Sequence, residues 1–124
     1  MERTLTVTVR PDGWSGLRAA MRAGVRAAEE RKGYLGEYLN FETPALFFGR
    51  LTENRWEIVR ALQGAGELPV RELARRVGRD VKRVHEDAAV LVELGLIEKT
   101  ERGGVICPYA DIHVDMHLTE ARAA

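Results

Sequence analysis

Apolar residues recur at helical spacing in three consecutive stretches between residues 51 and 94. The predicted buried stripes are, in order, Leu51, Ile58, Val59 and Leu62; Val70, Leu73, Ala74 and Val77; and Val81, Val84, Ala88 and Leu91. Thr52 and Asp80 stand where side chains cap the first and third helices, and Gly78 and Gly95 stand where the second and third helices end. The pattern therefore predicts three short helices, with a tight turn between the last two.

Two short strand-like runs follow the third helix, over Leu96 to Thr100 and Val105 to Cys107. The turn ERGG between them is rich in glycine, so the runs are predicted to pair as a hairpin with Arg102 at its tip. Two helices joined by a tight turn and followed by a hairpin have the layout of a winged helix-turn-helix. In that layout the second helix of the pair enters the DNA major groove.

The first 49 residues have a different pattern. The run TLTVTVR alternates as a strand does, GWSGLRAAMRAGVRAAEERK is amphipathic at helical spacing, and YLGEYLNF fits a second strand. Thr43 and Pro44 then open a short helix. We predict an α+β fold with a small β-α-β extension over residues 1–49 and a winged helix-turn-helix domain over residues 50–124. An extension of about 40 residues is too small to fold alone, so it needs the domain, a second copy or another protein as a partner.

The charge of the chain is neutral in sum and polarised along its length. Lysine plus arginine and aspartate plus glutamate are both 19. Residues 71–83 carry six cationic and two anionic side chains, a net charge of +4, while residues 84–101 carry one cation and five anions, a net charge of −4. Such clusters often mark only a solvated face. Whether the basic cluster binds an anionic partner therefore depends on where the helix geometry places its side chains.

The basic cluster coincides with the start of the third helix. At 100° per residue, Arg79, Lys82 and Glu86 point nearly opposite the apolar stripe and Arg83 lies at its flank. Arg55 falls on the apolar face of the first helix, where we expect a structural ion pair with a carboxylate. The predicted DNA-binding residues are Arg75, Arg79, Lys82, Arg83, Glu86 and Arg102.

From Leu51 to Leu118 the sequence resembles small prokaryotic winged-helix proteins related to MarR-type regulators, some of which look like antitoxins of TumE-type toxins. The segments that carry the resemblance are LTENRWEIVRAL, VRELARRVGRDVKRVHEDAAVLVELGLIEK and VICPYADIHVDMHL. It implies a DNA-binding transcriptional regulator, a repressor of its own operon and the antitoxin of a toxin-antitoxin pair. Pro69 departs from the family pattern, which commonly has a serine cap there.

We expect a homodimer on double-stranded DNA, since one winged helix offers few contacts. The apolar residues Trp14, Leu17 and Met21 are the predicted partner-binding residues, for the second copy or a small toxin protein, and the strand TLTVTVR could add to a sheet edge. Arg18, Arg22 and Arg26 form a row beside them that is either a solvated flank or a grip on an acidic partner. The alternatives are a winged-helix module that binds only protein and a stand-alone effector-responsive repressor.

Other classes of function find little support. The chain lacks GxSxG, HExxH and CxxC motifs and a phosphate-binding glycine loop, so we expect neither an enzyme nor a cofactor. His113, Asp115 and His117 share one face of a predicted strand, where an exposed strand face explains them as well as a metal site does. No run approaches the roughly 20 apolar residues of a membrane span and no signal peptide is visible, so we expect a cytoplasmic protein without membrane contact.

Overall fold

The N-terminal strand β1 (Arg3–Val9) lies between two parallel neighbours, β2 (Glu37–Phe41) and β5 (Tyr109–Met116), in the described part of the chain. The computed structural model describes residues 2–11 and 36–118. Val7 is aligned with Leu39 of β2 on one side and Val114 of β5 on the other. The predicted strands of the N-terminal segment are therefore confirmed, while the helix predicted between them lies outside the described residues.

Four described helices follow β2: α1 (Pro44–Arg50), α2 (Glu53–Leu62), α3 (Val70–Val77) and α4 (Val81–Leu94). Thr43, Thr52 and Asp80 accept capping hydrogen bonds from backbone N–H groups at the starts of α1, α2 and α4, as predicted. Pro69 precedes α3 without a side-chain cap. None of the described helices has both the length and the apolar composition that crossing a bilayer requires.

A hairpin of β3 (Glu98–Lys99) and β4 (Val105–Ile106) follows α4. Both strands are shorter than the predicted runs. Leu96 and Ile97, which precede β3, are buried instead of pairing in the hairpin, and Cys107, which follows β4, forms an isolated bridge with Gln63. Leu68 bridges to Val105 through backbone hydrogen bonds of 2.9 Å in both directions. The chain before α3 is thereby tied to β4. The fold is α+β, as predicted.

The core joins the sheet to the helices, and its fully buried members confirm most of the predicted stripes. Exposed fractions of at most 2% are found for Leu51, Ile58, Val59, Leu62, Leu73, Ala74, Val84 and Leu91. Val81 is different: it is 44% exposed, so its predicted place in the stripe of α4 is wrong. Val81 is the first residue of the helix.

Leu91 gives a test of this core. The side chain is fully buried, so we expect Leu91→Ala to lower the free energy of unfolding by about 2–5 kcal/mol through lost apolar contact and the cavity left behind. Leu46→Ala is the matched control, because Leu46 is 51% exposed, and we expect a loss well below 1 kcal/mol. Urea unfolding of both variants measures the difference. Equal losses would contradict this description of the core.

Candidate nucleic-acid interface

The turn between α3 and α4 is held by backbone hydrogen bonds at both ends. Gly78 adopts a left-handed conformation, with φ of 69°, and ends α3. The N–H of Arg79 donates to the carbonyl of Ala74 at 3.1 Å, and the Asp80 carboxylate accepts from the N–H of Arg83 at 3.2 Å. This short turn fixes the direction in which α4 leaves α3.

Three predicted residues of α4 are exposed on the side away from the core. Lys82, Arg83 and Glu86 are exposed, while Val84, Ala88 and Leu91 are buried. Within residues 2–11 and 36–118, Lys82 and Arg83 form no ion pair. The solvent-facing orientation predicted for these three residues is confirmed.

Arg79 does not face solvent, contrary to the prediction. Its side chain is only 19% exposed and its Nη2 donates to Oδ2 of Asp87 at 2.8 Å. The helical projection failed here because Arg79 belongs to the turn and lies before the first helical residue. The guanidinium folds back along α4 toward a carboxylate eight residues later in the chain.

Asp87 joins three parts of the domain through two arginines. Its Oδ1 accepts a hydrogen bond from Nε of Arg55 on α2 at 3.1 Å, which confirms the structural ion pair predicted for Arg55. Arg55 also donates to the carbonyl of Arg50 at 2.7 Å. Burial raises the pKa of Asp87, but hydrogen bonds from Arg79 and Arg55 outweigh it and hold the pKa below its ordinary value. We call Asp87, Arg55 and Arg79 the Asp87 cluster.

Arg75 is exposed, but its charge is compensated locally. Its guanidinium pairs with Glu72 one turn earlier on α3, and Arg76 shares the same carboxylate at 3.1 Å. Hydrogen bonds from Arg75 and then Arg76 lower the pKa of Glu72 to about 2. Arg75 therefore enters any interaction with an anion already partnered, unlike Lys82 and Arg83.

The hairpin is stabilised at its base by hydrogen bonds of Thr100 and carries a cation at its tip. Thr100 donates its hydroxyl to Glu67 at 2.6 Å and accepts the N–H of Gly104 at 3.0 Å. Gly103 turns the chain with φ of 84°. Arg102 is exposed and, among the described residues, forms no ion pair.

The cations without an ion pair in the described part of the chain are unevenly distributed. Two cations outside the predicted DNA-binding set are also exposed, Arg71 on α3 and Lys99 on β3. We define the basic surface as the exposed, unpaired residues Arg71, Lys82, Arg83, Lys99 and Arg102. Of the other described arginines, Arg60 of α2 also forms no ion pair among the described residues. The ion-paired arginines are Arg3, Arg10, Arg50, Arg55, Arg75, Arg76 and Arg79.

The elements that carry the basic surface are neighbours in space. A groove of about 190 Å³ is lined by the start of α3, the exposed side of α4 and the hairpin, through Val70, His85, Ala89, Lys99 and Gly103. The groove therefore places Lys99 of the hairpin beside α4. The signal for Lys99 in the sequence is weak, because only the fold brings β3 beside α4.

The predicted partner-binding residues Trp14, Leu17 and Met21 lie outside the described residues, as do Arg18, Arg22 and Arg26. The related expectation that TLTVTVR adds to a sheet edge is wrong. Strand β1 is the central strand and pairs with β2 and β5. Its backbone groups are therefore already engaged on both sides. Binding of a toxin protein stays a prediction.

The remaining candidate side chains have ordinary structural surroundings. His117 contacts Asp115 at 2.8 Å, and within residues 2–11 and 36–118 no three His, Cys, Asp or Glu side chains gather closely enough to hold a metal ion. Cys107 is buried and burial raises the pKa of its thiol. A thiol in that state is a poor nucleophile, as expected for a small core residue.

Comparison with known proteins places the chain in a family. No curated protein and no solved structure matches it significantly. One family model matches residues 50–114, from the end of α1 through α2, α3, α4 and the hairpin into β5. The match includes every member of the basic surface and of the Asp87 cluster. The chain belongs to the HVO_A0114 family.

Proposed function

We propose that the protein is a winged helix-turn-helix transcriptional regulator that binds double-stranded DNA. In this proposal α3 and α4 are the helix-turn-helix, α4 is the recognition helix, and the β3–β4 hairpin is the wing. The observation that carries it is the basic surface. Most described arginines are in ion pairs with carboxylates of the same chain, whereas the exposed cations of α4 and the hairpin have no such partner within residues 2–11 and 36–118.

The phosphates of a DNA duplex would supply the anionic partners that these cations do not find among the described residues. Lys82 and Arg83 lie in the first turn of α4, where the helix dipole also favours phosphate. Arg83 has the planar donors that bind guanine bidentately, and Glu86, one turn further on, can accept a hydrogen bond from the amino group of cytosine. Phosphate contacts by the other cations would set the register of α4 in the groove.

A regulator of this size gains affinity and specificity by binding as a homodimer to two half-sites about one turn of DNA apart. Repression of its own operon follows if the half-sites overlap its promoter. Selection of binding sites from a random duplex pool tests the proposal. We expect enrichment of a sequence with two related halves and an affinity that falls steeply with salt. Absence of enrichment, with no salt-dependent binding, would favour a module that binds only protein.

Arg102 tests the role of the wing. We expect Arg102→Ala to weaken binding to all duplexes by a similar factor and to reduce the slope of log affinity against log salt by about one, because a wing-tip cation meets phosphate. Arg60→Ala is the matched control, since Arg60 is also exposed and unpaired among the described residues but lies on α2. Fluorescence anisotropy over a salt series measures both. Equal effects of the two substitutions would remove the wing from the interface.

A further inference from the structure

Strand β5 is an edge strand of the three-stranded sheet that the described residues form. At its first residue the side chain of Gln63 reaches the carbonyl of Tyr109 at 3.4 Å. Beyond that point no described strand pairs with this edge. Two large apolar side chains near it are exposed, Val114 by 39% and Leu118 by 82%. An open edge of this length is a template for another strand.

The sequence of β5 is complementary to itself when it is read in the opposite direction from Val114. In an antiparallel pair of two copies centred on that residue, Val114 faces Val114. The other facing pairs are Asp111 with His117, Ile112 with Met116, His113 with Asp115 and Ala110 with Leu118. Every acidic residue of the segment then faces a histidine, and every large apolar residue faces an apolar one. An imidazole N–H can donate to the facing carboxylate in either protonation state of the ring.

Neighbouring registers lose this complementarity. A shift of one residue places the apolar face of one strand beside the polar face of the other, because side chains alternate. A shift of two residues in one direction places Asp111 opposite Asp115 and His113 opposite itself. The same shift in the other direction places His113 opposite His117 and Asp115 opposite itself. Like groups facing each other disfavour both arrangements.

The existing contacts of β5 are compatible with the centred register. The polar face of β5 is aligned with the threonines of β1, and its apolar face with Leu5, Val7 and Val9. Ile112 and Met116 pack on the core from that second face, beside the exposed Val114. Asp115 is held by Arg10 at 3.2 Å and His117 at 2.8 Å, so a second copy would extend a polar row that is already ordered.

We propose that two copies of the chain associate through antiparallel pairing of their β5 strands, centred on Val114, to form one continuous sheet. Its strand order would be β2-β1-β5 from one copy followed by β5-β1-β2 from the other. The pairing uses no residue of the basic surface and does not depend on DNA binding. The second copy would cover both exposed Val114 side chains and satisfy the open backbone edges.

A symmetric disulfide tests the register. Directly opposed residues of an antiparallel pair have Cα atoms about 4.5–5.5 Å apart, within the range that a disulfide spans. We expect Val114→Cys to give a covalent dimer under mild oxidation. Ala110→Cys is the matched control, because that position faces Leu118 and should stay largely monomeric in denaturing gels. The sole native cysteine, Cys107, is buried. Equal cross-linking of the two variants would overturn the register.

A charge exchange tests the pairing in solution. Asp111→Lys places a cation opposite His117, and His117→Asp places a carboxylate opposite Asp111, twice per dimer in each case. We expect each single variant to raise the dimer dissociation constant by on the order of tenfold and the double variant to restore it. Sedimentation of the full chain measures the constant, and far-ultraviolet circular dichroism checks the fold. A monomeric wild type, or single variants that dimerise unchanged, would overturn the proposal.

Discussion

Replacing Lys82 and Arg83 together with alanine is expected to abolish specific DNA binding at physiological salt while leaving the fold intact. Both side chains are exposed at the start of α4 and are unpaired among the described residues. Each lost phosphate contact reduces the slope of log affinity against log salt by about one. A lost bidentate base contact costs about 1–3 kcal/mol and relaxes specificity at one position. The variant should therefore show both a shallower salt slope and a smaller preference for the selected site.

The control for this variant has the same change in net charge. Arg60→Glu changes the net charge by the same two units at an exposed residue of α2, in a groove whose lining includes no residue of α4 or the hairpin. If replacing Lys82 and Arg83 weakened binding only by changing the total charge, Arg60→Glu would weaken binding equally. We expect it to change affinity by a small factor and to keep specificity. A folded double-alanine variant with unchanged affinity and salt slope would exclude α4 as the recognition helix.

Replacing Asp87 with alanine is expected to cause the largest loss of stability from any charged residue of the described domain. The substitution leaves Arg55 and Arg79 without their carboxylate, although their side chains are only about one fifth exposed. Removal of one partner from a buried ion pair leaves an uncompensated charge, which costs about 3–5 kcal/mol when burial is complete. Partial exposure of the Asp87 cluster reduces the expected loss to about 2–4 kcal/mol.

Glu93→Ala is the matched control on the same helix. Glu93 is 73% exposed and its contact with Arg50 is 3.6 Å, so we expect a loss below about 1 kcal/mol. Urea unfolding of both variants at neutral pH measures the comparison. If the two substitutions destabilise the domain equally, the Asp87 cluster does not have the structural role assigned to it.

The contribution of Asp87 is also expected to depend on pH. Its pKa is lower in the folded protein than the ordinary value, so the stabilisation is complete above the unfolded pKa of about 4. It is lost as the pH falls through the lower pKa of the folded state. The free energies of unfolding of the wild type and Asp87→Ala should therefore differ at pH 6 and converge in acid. A difference that stays constant down to pH 2 would contradict the assigned ion pairs.

The helices and their ends were predictable because their signals are local. The caps Thr52 and Asp80 and the glycines after α3 and α4 lie within a turn of the helices they limit. The orientation of Lys82, Arg83 and Glu86 follows from helical geometry alone. The error at Arg79 arose because that geometry was extended into a turn, where a carboxylate eight residues away decides the side-chain direction.

The pairing of β1 with β5 had no local signal. The two strands are separated by about 100 residues, and alternation predicts that each is a strand without predicting its neighbour. Residues 1–49 and 50–124 therefore appeared as separate segments, although they share one sheet. Lys99 was missed for a similar reason, because its place beside α4 follows from the burial of Leu96 and Ile97, which shortens the predicted strand.

Photo-cross-linking of the full chain to its selected duplex reports which helix touches DNA, and so tests whether α4 is the recognition helix. A cross-linking amino acid is placed at residue 82 of α4 in one sample and at residue 57 of α2, an exposed position, in another. If α4 is the recognition helix, we expect efficient cross-linking to the duplex from residue 82 and background levels from residue 57. Background cross-linking from residue 82 in a complex that still forms would contradict α4 as the DNA-binding element.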